Sequence, residues 1–143
     1  MSLVPGDPLA HRALESLLRA EANVRRRLSA DLEREGISAT GFSVLVLLTT
    51  AGGEAELRTL RKRLRTSKAN ATEVVSTLET RGFVLRRRLP QDRRAASVIL
   101  TPPGREIVDR LFPEHTLRVS DTFSVLDEDE KRSLAEICRK LAA

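Results

Sequence analysis

The spacing of hydrophobic residues predicts a chain built mostly of helices. Between Pro8 and Glu33, leucine or valine recurs at helical intervals with arginine and glutamate between, which is typical of a long amphipathic helix, and Gly36 would end it. Residues 38–51 form a second segment whose centre, 42–48, is apolar on nearly every side. A short buried strand would show the same apolar run, but the length of the segment favours a buried helix capped by a serine or threonine.

The middle of the chain predicts two shorter helices followed by a β-hairpin. The first helix is basic on its outer face, and Ser67 is well placed to cap the second, which would end at Gly82. Two strand-like runs then flank a polar loop, which is typical of a hairpin. The predicted bounds are 57–64 and 67–81 for the helices, 83–88 and 96–100 for the strands, and 89–95 for the tip.

The C-terminal third predicts two further helices. Thr101, followed by two prolines, is typical of a capped first turn, and the helix that begins there would run past Leu111 and bend or break near Pro113. The last helix would begin at Asp127, because Glu130 three residues later completes a capping box.

The order helix, turn, helix and hairpin over 57–100 is that of a winged helix-turn-helix. The predicted fold class is therefore mostly α with a small β-hairpin, extended by one long helix before this unit and two helices after it. Because a fold does not by itself decide a function, the side chains that these elements present must be considered.

Composition disfavours several classes of protein. No apolar run approaches the ~18–20 residues of a membrane-spanning helix, so no membrane partner is expected, and residues 1–8 lack the pattern of a secretory signal. The single cysteine, Cys138, permits no intrachain disulfide, which favours the reducing cytoplasm. Because no metal-ligand spacing, glycine-rich phosphate loop or activated nucleophile is visible, we expect no enzyme, no catalytic residue, no metal and no cofactor.

Positive charge is concentrated in one quarter of the chain. Between Arg58 and Arg94 twelve residues are Lys or Arg and only three, Glu73, Glu79 and Asp92, are acidic, whereas the rest of the chain is net acidic. A solvated basic surface without a partner is the alternative, but the predominance of arginine and the acidic flanks favour a polyanion partner.

The outer face of the predicted helix 67–81 carries short, mostly polar side chains opposite an apolar stripe. Such side chains let a helix approach base edges in the major groove of duplex DNA, while the helix N-terminus favours a phosphate. An ordinary surface helix is the weaker alternative, because arginine-rich elements lie on both sides. The residues expected to contact DNA here are Arg65, Ser67, Lys68, Asn70, Thr72, Glu73, Ser76 and Thr77.

The hairpin predicts a second contact with DNA. Arg86 and Arg88 lead into its tip, and Arg93 and Arg94 lie on the tip itself. Narrow minor grooves attract guanidinium groups, and the carboxylate of Asp92 can pair with a neighbouring arginine and fix its direction.

These motifs resemble the MarR family of bacterial regulators (multiple antibiotic resistance regulators). The similar segments are LRKRLRTSKANATEVVSTLETRGFV at 60–84, RLPQDRR at 88–94, VILT at 98–101 and Gly104, and the order of helices agrees from about Pro8 to Leu141. The resemblance implies a regulator of transcription that binds double-stranded DNA sequence-specifically, a repressor on a pseudo-palindromic operator. It also implies that Asp92 and Arg94 orient and insert a minor-groove arginine. Arg61 and Arg65 depart from the family, which often has a small residue and a glycine there, so the turn is either looser or uses both arginines on phosphate.

The terminal helices carry more apolar residues than one small lobe needs. In the resembling family these helices form a homodimer, and two recognition helices then read half-sites about one DNA turn apart. Packing of all these residues within one chain is the alternative. The interface candidates are Leu14, Leu17, Leu111, Phe112, Leu134, Ile137 and Leu141. The predicted organisation is one domain over 1–143, with dimerisation helices at 8–36 and 102–143, a winged helix-turn-helix lobe at 38–101, a recognition helix at 67–81 and a wing at 83–100.

The resemblance further implies a small aromatic or anionic effector, for which the sequence indicates no distinct site. Cys138 is expected to be a buried, inert thiol on an apolar helix face rather than a redox switch. A winged-helix protein-interaction module and an RNA-binding protein are the remaining alternatives, although only Phe83 in the basic segment is available to stack on an RNA base.

Overall fold

The protein is mostly helical with one small antiparallel sheet, as predicted. The computed structural model describes residues 3, 4 and 6–143, with all their side chains except those of residues 93 and 94. No helix in this part of the chain is both long and apolar enough to cross a membrane. The elements are α1 (Pro8–Arg34), α2 (Ala39–Thr50), β1 (Glu54–Glu56), α3 (Leu57–Leu64), α4 (Lys68–Thr80), β2 (Val84–Leu89), β3 (Asp92–Leu100), α5 (Pro102–Thr122) and α6 (Glu128–Ala142).

The prediction of a buried second helix is confirmed. The side chain of Ser38 caps α2 by accepting a hydrogen bond from the backbone N–H of Gly41 at 3.0 Å. Val44, Leu45 and Leu48 are fully buried on this helix. Burial on several sides explains why the segment is apolar nearly all round and shows no amphipathic period.

The two short central helices begin and end close to the predicted residues. Ser67 caps α4 through its hydroxyl, which accepts from the N–H of Asn70 at 3.1 Å. Gly82 ends this helix with a φ of 78°, a left-handed conformation that glycine adopts without a Cβ clash. In the same turn the N–H of Phe83 donates to the carbonyl of Leu78 at 3.0 Å.

The hairpin is longer, and its tip shorter, than predicted. Strands β2 and β3 pair from Val84 opposite Leu100 to Arg88 opposite Ala96, and after an irregularity Leu89 lies opposite Asp92. Only residues 90 and 91 connect the strands, so the predicted seven-residue tip is wrong. Most side chains of β2 are exposed, on both faces, so a run of arginine there does not mark the start of a loop.

A third strand, β1, was not predicted. It is three residues long and pairs with β3, Glu54 lying opposite Ile99, which gives the strand order β1-β3-β2. Its sequence, EAE, has neither the length nor the β-branched residues that indicate a strand. The Glu54 carboxylate accepts hydrogen bonds from Ser97 at 2.5 Å and Arg87 at 3.0 Å, which fixes the three strands to one another. The hydrogen bond from Ser97, followed by the charge of Arg87, holds the pKa of Glu54 below its ordinary value.

The two ends of the hairpin are joined at its base, where α5 begins. The hydroxyl of Thr101 donates to the carbonyl of Gly82 at 2.6 Å, and its N–H donates to the carbonyl of Phe83 at 3.1 Å. A Cβ atom at Gly104 would lie 2.2 Å from the oxygen of Phe83, so only glycine fits in this first turn of α5.

Helix α5 does not break at its internal proline. Pro113 lies inside the single helix Pro102–Thr122, so the prediction of a break there is wrong. A proline inside a helix costs about 3 kcal/mol or more, through a lost hydrogen bond and a steric clash. Ile107, Val108 and Leu111, which precede it, are buried in the core, and this packing favours the helical conformation up to the proline.

The chain divides into two compact units. Residues 31–115 form one, which contains the hydrophobic core built from α2, α3, α4, the strands and the first part of α5. The other comprises the chain up to Ala30 together with Thr116–Ala143. Within it α6 begins with the predicted capping box, in which Asp127 and Glu130 exchange hydrogen bonds of 2.8 and 3.0 Å. The predicted division into lobe and dimerisation segments stays a prediction.

Arg65 has a strained backbone in the turn between α3 and α4. Its φ of 51° and ψ of 46° place it in the left-handed region, and among the described residues it is the only one other than glycine with a positive φ. The turn is therefore a regular left-handed helix end rather than a looser one. A side chain in this conformation costs about 1–2 kcal/mol, from the approach of Cβ to the next carbonyl.

His115 lies among aromatic rings in the core-containing unit. Its ring is 5.1 Å from that of Phe42 and 6.4 Å from that of Phe112, centroid to centroid. Its Nδ1 atom is buried, with no hydrogen-bond partner in the part of the chain that the structure describes. Burial lowers the pKa of His115 below its ordinary value of 6.5, because the charged imidazolium would lose its hydration.

Replacement of Arg65 by glycine should stabilise the fold relative to replacement by alanine. Both variants lose the same charge, but only glycine relieves the left-handed strain, which outweighs its extra flexibility when unfolded. We expect Arg65→Gly to exceed Arg65→Ala by about 1 kcal/mol in the free energy of unfolding, measured by urea denaturation. Equal stabilities would contradict the strain.

The stability of the protein should depend on pH through His115. Because the folded-state pKa is lowered, the contribution of His115 is fully present above its unfolded pKa and is lost as the pH falls below that value. The loss has a limiting slope of ~1.4 kcal/mol per pH unit. Urea denaturation of wild type and His115→Phe between about pH 7 and pH 5 should show a shallower decline for the variant. His11→Gln, which alters an exposed histidine of α1, should decline like wild type; if His115→Phe does so too, the assignment is wrong.

Candidate nucleic-acid interface

Helix α4 presents a polar face to solvent because its other face is buried. Ala71, Val75 and Leu78 have exposed fractions of 3% or less. Of the residues predicted to contact DNA, those at the start of the helix and on its outer face are exposed, whereas two lie at its half-buried margin. The exposed residues are Ser67, Lys68, Asn70, Glu73 and Thr77, and the half-buried ones are Thr72 and Ser76.

The hydrogen bonds within α4 leave its outer face rich in acceptors. Thr77 donates its hydroxyl hydrogen to the carbonyl of Glu73 at 3.1 Å, and Asn70 donates from its amide to the hydroxyl of Thr66 at 2.6 Å. These hydrogen bonds use donors and leave the lone pairs of the Thr77 and Asn70 side-chain oxygens available, on the exposed face that also carries the carboxylate of Glu73. In the major groove such acceptors match the exocyclic amines of cytosine and adenine.

A groove of about 350 Å³ separates this face from the start of α2. Asn70, Glu73 and Thr77 line one side, and Ser38 and Thr40 line the other. The sequence predicts Ser38 or Thr40 as the cap of α2, but it does not predict that they lie beside the outer face of α4. Nothing local in the sequence indicates this, because the proximity depends on how α2 and α4 pack.

Four arginines of the basic segment are bound within the protein. Arg81 donates to the carbonyls of Glu35 and Gly36, both at 3.0 Å, and lies over the ring of Phe83. Arg87 is paired with Glu54 at 3.0 Å, and Arg58 with Glu56 at 2.9 Å. Their charges serve the fold, so the count of basic residues overstates the surface available to a polyanion.

Arg86, predicted to contact DNA, is the fourth. Its backbone N–H donates to a carboxylate oxygen of Glu79 at 2.9 Å, and its guanidinium forms an ion pair with the same carboxylate at 3.1 Å. These hydrogen bonds, the backbone one first, hold the pKa of Glu79 below its ordinary value. The structure thus assigns this guanidinium a partner on α4, and a direct contact with DNA would require the pair to open.

Five other cations have neither an ion pair nor a side-chain hydrogen bond with any described residue. Arg88 lies on the same face of β2 as Arg86, because side chains alternate along a strand. Arg61 and Lys68 line a groove of about 270 Å³ beside α3, together with Asp92 from the start of β3. Cations of α3 and α4 thus share one groove, and Arg88 adds an exposed cation on β2. The five cations are Arg61, Lys62, Arg63, Lys68 and Arg88.

The tip of the hairpin remains in part a prediction. Asp92 is exposed at the first position of β3. The side chains of Arg93 and Arg94 lie outside the described residues, so the pairing predicted between Asp92 and Arg94 stays a prediction.

Two sequence-based expectations for the terminal helices differ from the structure. Cys138 is exposed rather than buried, and the same holds for the rest of α6, in which no residue is buried. Leu111, an interface candidate, is 6% exposed and packs in the hydrophobic core of the unit formed by residues 31–115. The other interface candidates are exposed; these are Leu14, Leu17, Phe112, Leu134, Ile137 and Leu141.

Comparison with known proteins identifies the family. The sequence model of the MarR family matches residues 37–96, from just before α2 into β3. An uncharacterized HTH-type transcriptional regulator, YkoM of Bacillus subtilis (strain 168), is 35% identical over 122 residues, 85% of this chain and 79% of that protein.

Solved structures agree with this assignment. The chain is similar to Sco3205, a MarR family transcriptional regulator from Streptomyces coelicolor whose crystal structure is in complex with DNA. The TM-score is 0.89 at 26% identity, over 99% of this chain and 90% of that one. It is also similar to BpsR of Bordetella bronchiseptica, whose DNA binding is regulated by 6-hydroxynicotinic acid. Here the TM-score is 0.81 at 25% identity, over 92% of this chain and 98% of that one. The chain therefore belongs to the MarR family of transcriptional regulators.

Proposed function

We propose that this regulator acts in the bacterial cytoplasm as a homodimer that binds a pseudo-palindromic DNA operator and represses transcription. Helix α4 enters the major groove and the wing, β2 to β3, approaches the adjacent minor groove. The observation that carries the proposal is the acceptor-rich face of α4 together with exposed cations on three elements, Arg61, Lys68 and Arg88, which have no ion pair among the described residues. The likeness to Sco3205, determined in complex with DNA, supports it. As a family member it is proposed to regulate, not to catalyse.

The side chains divide into those that position the protein and those that read sequence. Lys68 in the first turn of α4 and Arg88 on the wing are exposed cations that suit phosphate, which contributes affinity without sequence information. Asn70, Glu73 and Thr77 suit base edges, with their acceptors outward. Arg65, in the turn that precedes α4, is proposed for phosphate, and Arg93, Arg94 and Asp92 are proposed for the minor groove.

The unburied apolar faces of α1 and α6 support the homodimer. Leu134, Ile137 and Leu141 follow one another at intervals of three and four residues, so they share one face of α6. Ile137 and Leu141 are 60% and 69% exposed, and Leu14 of α1 is 52% exposed. Burial of one such side chain contributes about 1.5–3 kcal/mol, so a second copy would stabilise these faces.

We extend the proposal to release from DNA by a small aromatic or anionic effector. The groove beside α3 offers Arg61 and Lys68 for an anion and Leu57 and Ala71 for an apolar ring. Because these cations are also proposed for phosphate, an anion bound there would compete with DNA. The regulation of the similar protein BpsR by 6-hydroxynicotinic acid supports this class of ligand.

Loss of the Arg88 charge should weaken DNA binding in a salt-dependent way. The probe is a duplex selected by the wild-type protein from a random pool. Arg88→Gln should reduce the slope of log affinity against log salt by about 1.8 in fluorescence anisotropy, because the homodimer loses two phosphate contacts of about 0.9 each. The matched control is Arg87→Gln, which removes the same charge from the opposite face of β2, where Glu54 neutralises it. A slope that falls equally in both variants, or in neither, contradicts the proposed orientation of the wing.

A charge on the apolar face of α6 should separate the dimer. Wild type should have twice the mass of one chain in light scattering, whereas Ile137→Glu should shift towards a single chain and bind the selected duplex more weakly. Arg139→Glu introduces the same charge on another side of α6 and should remain dimeric. A wild-type protein with the mass of one chain would overturn this proposal.

Aromatic carboxylates should displace the selected duplex, and their neutral amides should not. We expect 6-hydroxynicotinic acid or a related anion to lower the anisotropy of the bound duplex, and Arg61→Gln to require more of it. Equal displacement by acid and amide would show that the cations of the groove play no part.

A further inference from the structure

Glu79 joins the recognition helix to the wing. It lies in the last turn of α4, and one carboxylate oxygen accepts the backbone N–H of Arg86 in β2 at 2.9 Å. The other oxygen accepts from Nε of Arg86 at 3.2 Å and lies 3.1 Å from Nη2. One side chain therefore holds both the backbone and the charge of the wing.

The backbone bond is informative because β2 is an edge strand. In the order β1-β3-β2 only one edge of β2 pairs with another strand, so alternate N–H groups on its free edge have no strand partner. Arg86 lies opposite Val98, yet its N–H is directed to Glu79. The carboxylate thus takes the place of a neighbouring strand and fixes the free edge of the wing against α4.

By charge alone, Glu79 should hinder DNA binding. It adds a negative charge to a basic surface and neutralises an arginine that would otherwise attract phosphate. Both side chains of the pair are 34% exposed, so neither needs the other to avoid an unpaired buried charge. A role in stability is small for a pair this exposed, typically ~0–1 kcal/mol. What the pair does provide is a fixed distance between two elements that must enter adjacent grooves together.

We propose that Glu79 is a positioning residue for DNA recognition, which clips the wing to the recognition helix so that both engage one half-site. This inference rests on the function proposed above. The clip restricts the wing to the position that fits the correct half-site before binding, which reduces the ordering required on binding. It therefore favours selectivity between sequences at the expense of general affinity for DNA.

The test separates the reach of the side chain from its charge. Glu79→Asp keeps the charge but shortens the side chain, and Glu79→Gln loses the charge but keeps an oxygen in reach of the Arg86 N–H. Each is titrated against the duplex selected by wild type and against a scrambled duplex of the same composition. The ratio of the two affinities is the selectivity, and thermal unfolding verifies that each variant is folded.

Selectivity should depend on the length of the side chain at position 79 rather than on its charge. We expect the ratio to fall about tenfold or more in Glu79→Asp, comparable to the loss for one mismatched base pair, and to remain within about threefold of wild type in Glu79→Gln. Glu79→Ala should lose selectivity while binding the scrambled duplex as tightly as wild type or more tightly, because Arg86 is released. Glu33→Ala, which removes an exposed acidic residue of α1, controls for net charge and should keep the wild-type selectivity.

Two results would overturn the inference. One is wild-type selectivity in Glu79→Asp, and the other is tighter binding of both duplexes by Glu79→Gln and Glu79→Ala with an unchanged ratio, which is the outcome for a purely electrostatic role. Failure of the proposed function looks different, because wild type itself would then select no sequence from the random pool.

Discussion

The burial of one stripe of α4 determines what the rest of the lobe can do. Ala71, Val75 and Leu78 lie almost wholly within the core, and each aliphatic side chain of that size contributes about 1.5–3 kcal/mol when buried. A rotation of the helix by about half a turn would expose this stripe and bury Glu73. Packing therefore fixes the rotation of α4 about its axis. The acceptor-rich face is directed to solvent because the opposite face is buried.

Charge is distributed in the lobe according to a similar separation of roles. Arg81, Arg86 and Arg87 carry the same formal charge as Arg61 and Arg88, but they are bound to carbonyls or carboxylates that join elements of the fold. Local density of arginine thus reflects two demands at once, which are the assembly of a small sheet on a helix and the attraction of a polyanion. The arginines in ion pairs assemble the sheet. Attraction of the polyanion is therefore left to a few other residues, whose directions are set by the backbone that carries them.

Elements with a periodic pattern of apolar residues could be predicted from the sequence. Contacts between residues far apart along the chain could not. The bounds of α2 and α4 followed from apolar spacing and from the serine caps, because burial imposes that spacing. The short tip of the hairpin did not follow, since a two-stranded arm exposed on both faces has no alternation to indicate it. The pairing of Arg87 with Glu54 joins residues 33 positions apart and depends on the register of β1, a strand that its own composition conceals. Cys138 was misplaced for a related reason, as an apolar helical face indicates burial but does not say in which molecule.

The closure of the hairpin at its base has a consequence for how such a protein can evolve. Thr101 ties the returning strand to Gly82 and Phe83, Gly104 brings α5 against the same carbonyl, and the core continues along the strands only to Val84 and Val98. Residues 88–96, none of whose described side chains is buried, form an arm whose length and tip can change without altering the packing that holds α4. Insertions, deletions and substitutions in the arm are thus open to selection for new promoters, because they leave intact the packing that presents the helix.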